Sequence, residues 1–264
     1  VTSLGNHNFD ILGLLEYAEF KNDLINLQGR NFSSPGLSEA SNTSAPFSTG
    51  GFDQLFKTFS YGAFLSYDYD RKYLLTASVR QDADSRFGKN NVYSEPFWSV
   101  SAAWNLTSEG FLKDNNFINS LKLRGSIGVR GYNNIDLNLN NILLNGGTYG
   151  NNPSLAPNVV YGNPDLKWET TKSQNYGVEF SVLKRRISGT IDYFIDVKKD
   201  FILNVPNASS EGGAYTTNIN AGKLTNKGFE FRMNEEEKKS KNGLNWALRA
   251  NTSILEYKLN KLLP

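Results

Sequence analysis

The sequence predicts an all-β fold: an antiparallel transmembrane β-barrel, of which residues 1–264 form a wall segment of roughly nine strands. Three observations carry that expectation. Apolar and polar residues alternate with period two in segment after segment, the pattern of strands with two unlike faces. No stretch reaches the roughly 18 consecutive apolar residues that a membrane helix needs, a condition that a barrel strand never has to meet. The connections between the alternating segments swing between long and short with regular parity, so all the long ones leave the sheet at one end.

The segments follow in order. A weak strand is expected over 8–19 and a clearer one over 57–68. In 73–80, Tyr73, Leu75, Ala77 and Val79 oppose Leu74, Thr76, Ser78 and Arg80. Trp98, Val100, Ala102 and Trp104 mark one face of 97–106, and Leu121, Leu123, Gly125, Ile127 and Val129 mark an uncharged face of 121–130. Tyr176, Val178, Phe180 and Val182 do the same in 176–182, and Ile187 through Val197 continue it after a basic turn at 184–186. Strands at 226–234 and 244–255 complete the nine. Long connections are expected at about 21–56, 82–95, 131–165 and 199–225, and short ones at 68–72, 107–119, 184–186 and 235–243. The odd count and a chain that runs past Leu255 to Pro264 without a terminal aromatic strand read as an internal piece of a longer polypeptide. No signal peptide is expected in the sequence, since Val1 opens without a charged n-region and apolar core.

Composition narrows the function. Hydrophobic residues make up 39% and aromatics 13%, and asparagine occurs 33 times. The aromatics and the modest charge argue against disorder. With no cysteine and one histidine, His7, there is no basis for disulfides, thiolate metal sites or acid–base dyads. A net charge of +2 lacks the basic excess of a nucleic-acid binder. No catalytic constellation can be assembled, so no enzyme, cofactor or metal is expected.

Candidate sites fall into three groups. Arg80, Asp82, Arg124, Arg130, Glu179, Asp192 and Asp196 lie on the polar parity of their strands, where they would face a lumen and either guide a polar substrate or brace a plug; lumen polarity by itself is generic. Tyr132, Asn133, Asn134, Tyr149, Tyr161 and Tyr215 combine flat rings and amides in the long loops, suited to sugars or peptides, although asparagine is also a turn former. Tyr61, Tyr67, Tyr73, Trp98, Trp104 and Tyr193 lie on the apolar parity and fit a membrane-interface girdle. Asp82, Asp84, Asn90 and Asn91 have the oxygen chemistry of a calcium loop but lack its glycine and distal glutamate, so turn chemistry is favoured. His7 has no evident partner.

The run from Lys72 to Trp104, KYLLTASVRQDADSRFGKNNVYSEPFWSVSAAW, resembles the SusC/RagA family of TonB-linked outer-membrane proteins of Bacteroidetes. Lys72 to Leu75, Arg80, Asp82, Ser85 to Gly88, Asn90, Asn91 and Ser99 to Trp104 match the family pattern. The chain departs from it at Ala83, Asp84 and Glu95 to Trp98. LKLRGSIGVRGYNNI at 121–135, NPDLKWETTKSQNYGVEF at 163–180, ISGTIDYF at 187–194 and TNKGFEFRM at 225–233 follow in the family's order. The resemblance implies a bacterial outer-membrane location and a larger plugged barrel of about 22 strands. It also implies a SusD-like surface lipoprotein as partner, energy from the TonB complex through a plug outside this chain, and import of glycans, oligopeptides or similar large nutrients. A soluble glycan-binding β-sandwich and a plain diffusion porin are the alternatives.

Overall fold

The computed structural model describes residues 2–32, 34, 36, 43–112, 115–133, 135–141, 144–157, 160–208, 210, 215–237 and 246–262. Its strands are β1 (Thr2–Leu4), β2 (His7–Phe32), β3 (Thr43–Tyr69), β4 (Tyr73–Asp84), β5 (Phe97–Asn105), β6 (Ile118–Tyr132), β7 (Leu144–Tyr149), β8 (Asn152–Pro157), β9 (Val160–Tyr161), β10 (Glu169–Val182), β11 (Ile187–Pro206), β12 (Thr216–Glu237) and β13 (Trp246–Lys261). One antiparallel sheet runs β1-β2-β3-β4-β5-β6-β10-β11-β12-β13 without closing. β9 adds to β12 in parallel, and β7 pairs with β8 as a separate hairpin.

Nine of these strands, β2–β6 and β10–β13, coincide with the nine alternating segments, but most are longer than the alternation indicates. The segment expected as a loop at 21–56 is largely paired: β2 and β3 stay paired from Lys21↔Leu55 out to Phe32↔Thr43, with a register shift between Gln28 and Gly29. Residues 20–32 carry no clean alternation because that part of the hairpin projects beyond the apolar band, where neither face needs to be uniformly apolar. Likewise 199–225 shrinks to a connection at 207–215. The long connection at 131–165 contains β7, β8 and β9, and the last strand occupies 246–261 rather than 244–255. The last short connection falls mostly on 238–245, outside the described residues. The length contrast thus resides in strand overhang as much as in loops. At the opposite end Asp70 and Arg71 both have positive φ, with Lys72 N donating to Tyr69 O at 2.9 Å, the tight hairpin turn that matches strand twist.

The apolar parity forms a band nine residues deep, Tyr61–Tyr69 on β3 and Tyr73–Gln81 on β4. That equals the span of about 9–11 residues of a tilted transmembrane strand. Accessible surface totals 18193 Å², against about 11,500 Å² for a globular protein of this mass. The excess is sheet face left uncovered, and within the apolar band Ile11, Leu15 and Ile254 are each more than 70% exposed. A sandwich would bury such a face against a second sheet, so the sandwich alternative is set aside.

What core exists sits at the long-connection end. Phe87 and Leu166 are fully buried, packed with Trp168 and Ile135. The rings of Phe87 and Trp168 stack at 4.8 Å, and Phe97 meets Trp168 edge-on at 5.8 Å. Beneath them the buried Asp84 receives Arg86 through Nη2 at 2.6 Å and Nε at 3.0 Å, and Asn133 Nδ2 at 3.0 Å. Arg86 Nη1 also donates to Ile135 O at 3.1 Å. Gly88 lies so close to the Pro164 carbonyl that any Cβ would overlap it, so this junction requires glycine. These contacts fasten 85–96, Asn133 with 135–141, and 163–168 together over the end of the sheet. Asp84→Ala leaves the Arg86 guanidinium, 13% exposed, without its carboxylate. Hydrogen exchange is expected to show amides of 85–96 and 135–141 losing about 3–5 kcal/mol of protection while β4 and β6 keep theirs.

Candidate functional site

All seven charged residues expected on the polar parity share one face of the sheet, and they gather at two depths. Nearer the short turns, Arg124, Gly177 and Asp192 are directly opposite one another on β6, β10 and β11, and the row continues to Glu230 and Ser253. Arg124 Nη2 reaches across the middle strand to Asp192 Oδ1 at 2.5 Å. It can do so because the intervening residue is glycine: a Cβ on Gly177 would overlap both Asp192 Oδ1 and the Arg124 guanidinium. Arg124 Nε lies 3.0 Å from Glu179 Oε1 but off the N–H axis, an ion pair rather than an aligned hydrogen bond. Lys122 Nζ stands 3.7 Å from the other Glu179 oxygen. Arg124, Glu179 and Asp192, with Thr190, Glu230, Arg232 and Asn251, border a groove of about 640 Å³. Gly177, Glu230 and Arg232 were not singled out from the sequence, although the polar parity of β10 and β12 already contained them.

Toward the long connections, Arg80 donates from Nε to Asp82 at 2.6 Å and from Nη2 to Ser60 at 3.0 Å, and it pairs with Glu16 at 3.4 Å. Glu16 and Ser60 were likewise missed. They sit on β2 and β3, far from Arg80 in sequence, and only the register brings them together. Arg130 and Asp196 are loosely apposed at 3.7 Å, with the Arg130 side chain 70% exposed.

The loop residues do not converge on one site. Tyr149 projects from the tip of the β7–β8 hairpin, 85% exposed. Tyr161 and Tyr215 stack on each other at 4.6 Å, and Tyr132 lies under Lys198 at 5.4 Å. Asn133 is engaged by Asp84, and Asn134 falls outside the described residues. Among the calcium-like oxygens, both Asp84 oxygens are bound by Arg86, and Asn91 Nδ2 donates to Asp165 O at 3.1 Å. His7 does have a partner, contrary to expectation: Nδ1 lies 2.9 Å from the Tyr67 hydroxyl, and its ring packs on Tyr69 at 4.8 Å. The antiparallel register of β2 and β3 supplies that contact across 60 residues.

Tyr61, Tyr67, Tyr73, Trp98, Trp104 and Tyr193 share the opposite, apolar face. Tyr67, Tyr73 and Trp104 cluster at its short-turn border, while Tyr61 and Trp98 lie toward the other. Tyr73 Oη and Trp104 Nε1 both donate to Glu109 Oε1, at 2.7 and 3.1 Å. Glu109 lies in the connection between β5 and β6, beyond the band.

The family model described as "TonB dependent receptor-like, beta-barrel" matches residues 2–261. The chain belongs to that family. It is 34% identical over 219 residues to TonB-dependent receptor P39 of Formosa agariphila, covering 83% of this chain and 20% of that one. It is 33% identical over 215 residues to TonB-dependent receptor SusC of Bacteroides thetaiotaomicron, covering 77% of this chain and 21% of SusC. The chain therefore spans about a fifth of the length of these relatives. Its fold superimposes on the RagAB peptide importer in the closed-closed state with a TM-score of 0.90 at 24% identity, over all of this chain and 29% of that one. A TonB-dependent receptor barrel resides in the bacterial outer membrane, and the sheet described above is part of such a barrel's wall.

In this receptor segment the hydrogen bond from Tyr73, then that from Trp104, holds the Glu109 carboxyl below its ordinary value of 4.5. A depressed folded-state value means that the stabilisation is complete above the unfolded value and disappears as pH falls through the folded one. Comparison of thermal denaturation of the wild type and Glu109→Gln is expected to show a deficit at neutral pH that closes only below pH 4.5.

Proposed function

We propose that this chain forms part of the barrel wall of a SusC-like TonB-dependent transporter that imports glycans, oligopeptides or similar large nutrients, with a SusD-like lipoprotein on its outer side and energy from the TonB complex. The observation that carries the reading is the division of the sheet into an apolar band one membrane deep and a polar face with charged clusters at two depths, in a chain of this family. In that arrangement the polar face turns inward, with Arg80, Asp82, Arg124, Arg130, Glu179, Asp192 and Asp196 toward the lumen. The six aromatics stand at the membrane borders. The long connections, with Tyr132, Asn133, Tyr149, Tyr161 and Tyr215, face outward, and the short turns face the periplasm.

Support for import rather than free diffusion comes from relatives named TonB-dependent receptors. The charged clusters are largely paired within the wall, so they shape a fixed field on the transport path rather than offering lone charges. Replacing Asp192 and Asp196 together by lysine in the full-length transporter reverses that field beside Arg124 and Arg130. Uptake is expected to fall about tenfold, while the heat-modifiable band of the folded barrel persists. Loss of the folded band would assign these carboxylates a structural role, and unchanged uptake would remove them from the transport path.

A further inference from the structure

The apolar face carries a groove of about 570 Å³ near its short-turn border, almost wholly apolar in lining. That volume lies in the range of roughly 300–1,000 Å³ typical of clefts that hold small molecules. Its floor is the cross-strand row Leu75, Ala102 and Gly125, where two adjacent positions have almost no side chain. On one side rise Tyr67, Tyr73 and Trp104. On the other the Tyr176 ring stands 3.6 Å from where a Gly125 Cβ would be. A smooth lipid-facing wall would shed its lipids along its length; this one has a trench with aromatic banks.

The mouth of the groove bears charges of both signs. Trp104 and Tyr73, which line the groove, hold Oε1 of Glu109. Its Oε2 is 3.9 Å from Lys72 Nζ, beyond hydrogen-bond reach, and Lys72 is 3.4 Å from Asp70. Arg71 occupies the same two-residue turn, and Lys72 O accepts the Asn105 amide at 2.7 Å, which ties the turn to the end of β5. Lys72, in open pairs with Asp70 and Glu109, and Arg71 beside it in the turn stand where headgroups of the inner leaflet meet the wall.

We infer that this groove holds one glycerophospholipid whose headgroup joins a phosphate to a primary ammonium. An acyl chain lies over Ala102 and Gly125, the phosphate meets Arg71 and Lys72, and the ammonium donates to Glu109 and Asp70. An anionic headgroup without an ammonium leaves both carboxylates repelling it, and a quaternary ammonium has no N–H to donate. The inference rests on the membrane placement of the barrel and not on its cargo.

The test is native mass spectrometry of the full-length receptor released from nanodiscs containing equal parts phosphatidylethanolamine, phosphatidylglycerol and phosphatidylcholine. The wild type is expected to retain one phosphatidylethanolamine at least fivefold over either other lipid. Ala102→Phe, which fills the trench from its floor, is expected to lower retention at least fivefold, and Glu109→Gln to abolish the headgroup preference. Equal retention of the three lipids by the wild type overturns the headgroup assignment. Full retention by a folded Ala102→Phe barrel, or a second protein chain in place of lipid, overturns the groove. Should Ala102→Phe fail to assemble, Glu109→Gln decides alone: an unchanged preference refutes the proposal.

Discussion

Hydrocarbon offers neither donor nor acceptor to a peptide group, so a chain crossing it as strands must pair every amide and carbonyl with a neighbouring strand. From β2 to β13 the ladder is continuous through the apolar band, and each strand contributes one face to lipid and one to the opposite side. Two consequences follow for composition. Half of the residues in the band are free to be polar, which is why a membrane wall has a hydrophobic content of only 39%. And the sheet has no interior: side chains on its two faces never meet, so its burial comes from lipid and from neighbouring parts of the barrel. The small core of Phe87, Leu166, Trp168 and Ile135 lies outside the band, where loops rather than the sheet do the packing.

That constraint also explains which parts of the fold were legible in the sequence. Inside the band alternation is obligatory, and all nine wall strands declared themselves there. Beyond it the ladder continues without that obligation, so the paired residues of β2 and β3 around Leu24 and Phe52 carry no clean period and read as loop. The buried core escaped for a different reason. Trp168 meets Phe87 across 81 residues of chain, and neither lies in an alternating segment. His7 was misjudged on the same account, since its partner Tyr67 is adjacent only through the strand register. Parity alone placed the charged residues on a common face, but it could not say which of them touch. Contact depends on register, and register is set jointly by turns and faces.

The Arg124 row illustrates how register turns a list of charges into a structure. An arginine and an aspartate two strands apart are ordinarily separated by the side chain between them, at about 4.8 Å per strand. Glycine at 177 removes that obstacle and lets the guanidinium lie flat against the sheet, where it meets Asp192 and Glu179 together. A group held this way keeps its position and lends a directional charge to the groove beside it. Solvated lysines on a mobile stem would give the same net charge with no fixed geometry. Gly177, a residue with no functional group, is therefore as much a part of the site as the ions it admits.

A single sheet also places unlike environments back to back. Leu123 and Gly125 face the apolar side, and Arg124 between them faces the polar side. All three residues border the apolar groove, and Arg124 also borders the charged groove on the other face. A Cβ added at Gly125 would sit at ordinary contact distance from Tyr176, so the apolar side tolerates it, whereas at the neighbouring Gly177 a Cβ would close the gap through which Arg124 passes. The two faces share a backbone only one residue thick, yet the demand for glycine comes from the polar face, where the ion pair crosses the middle strand.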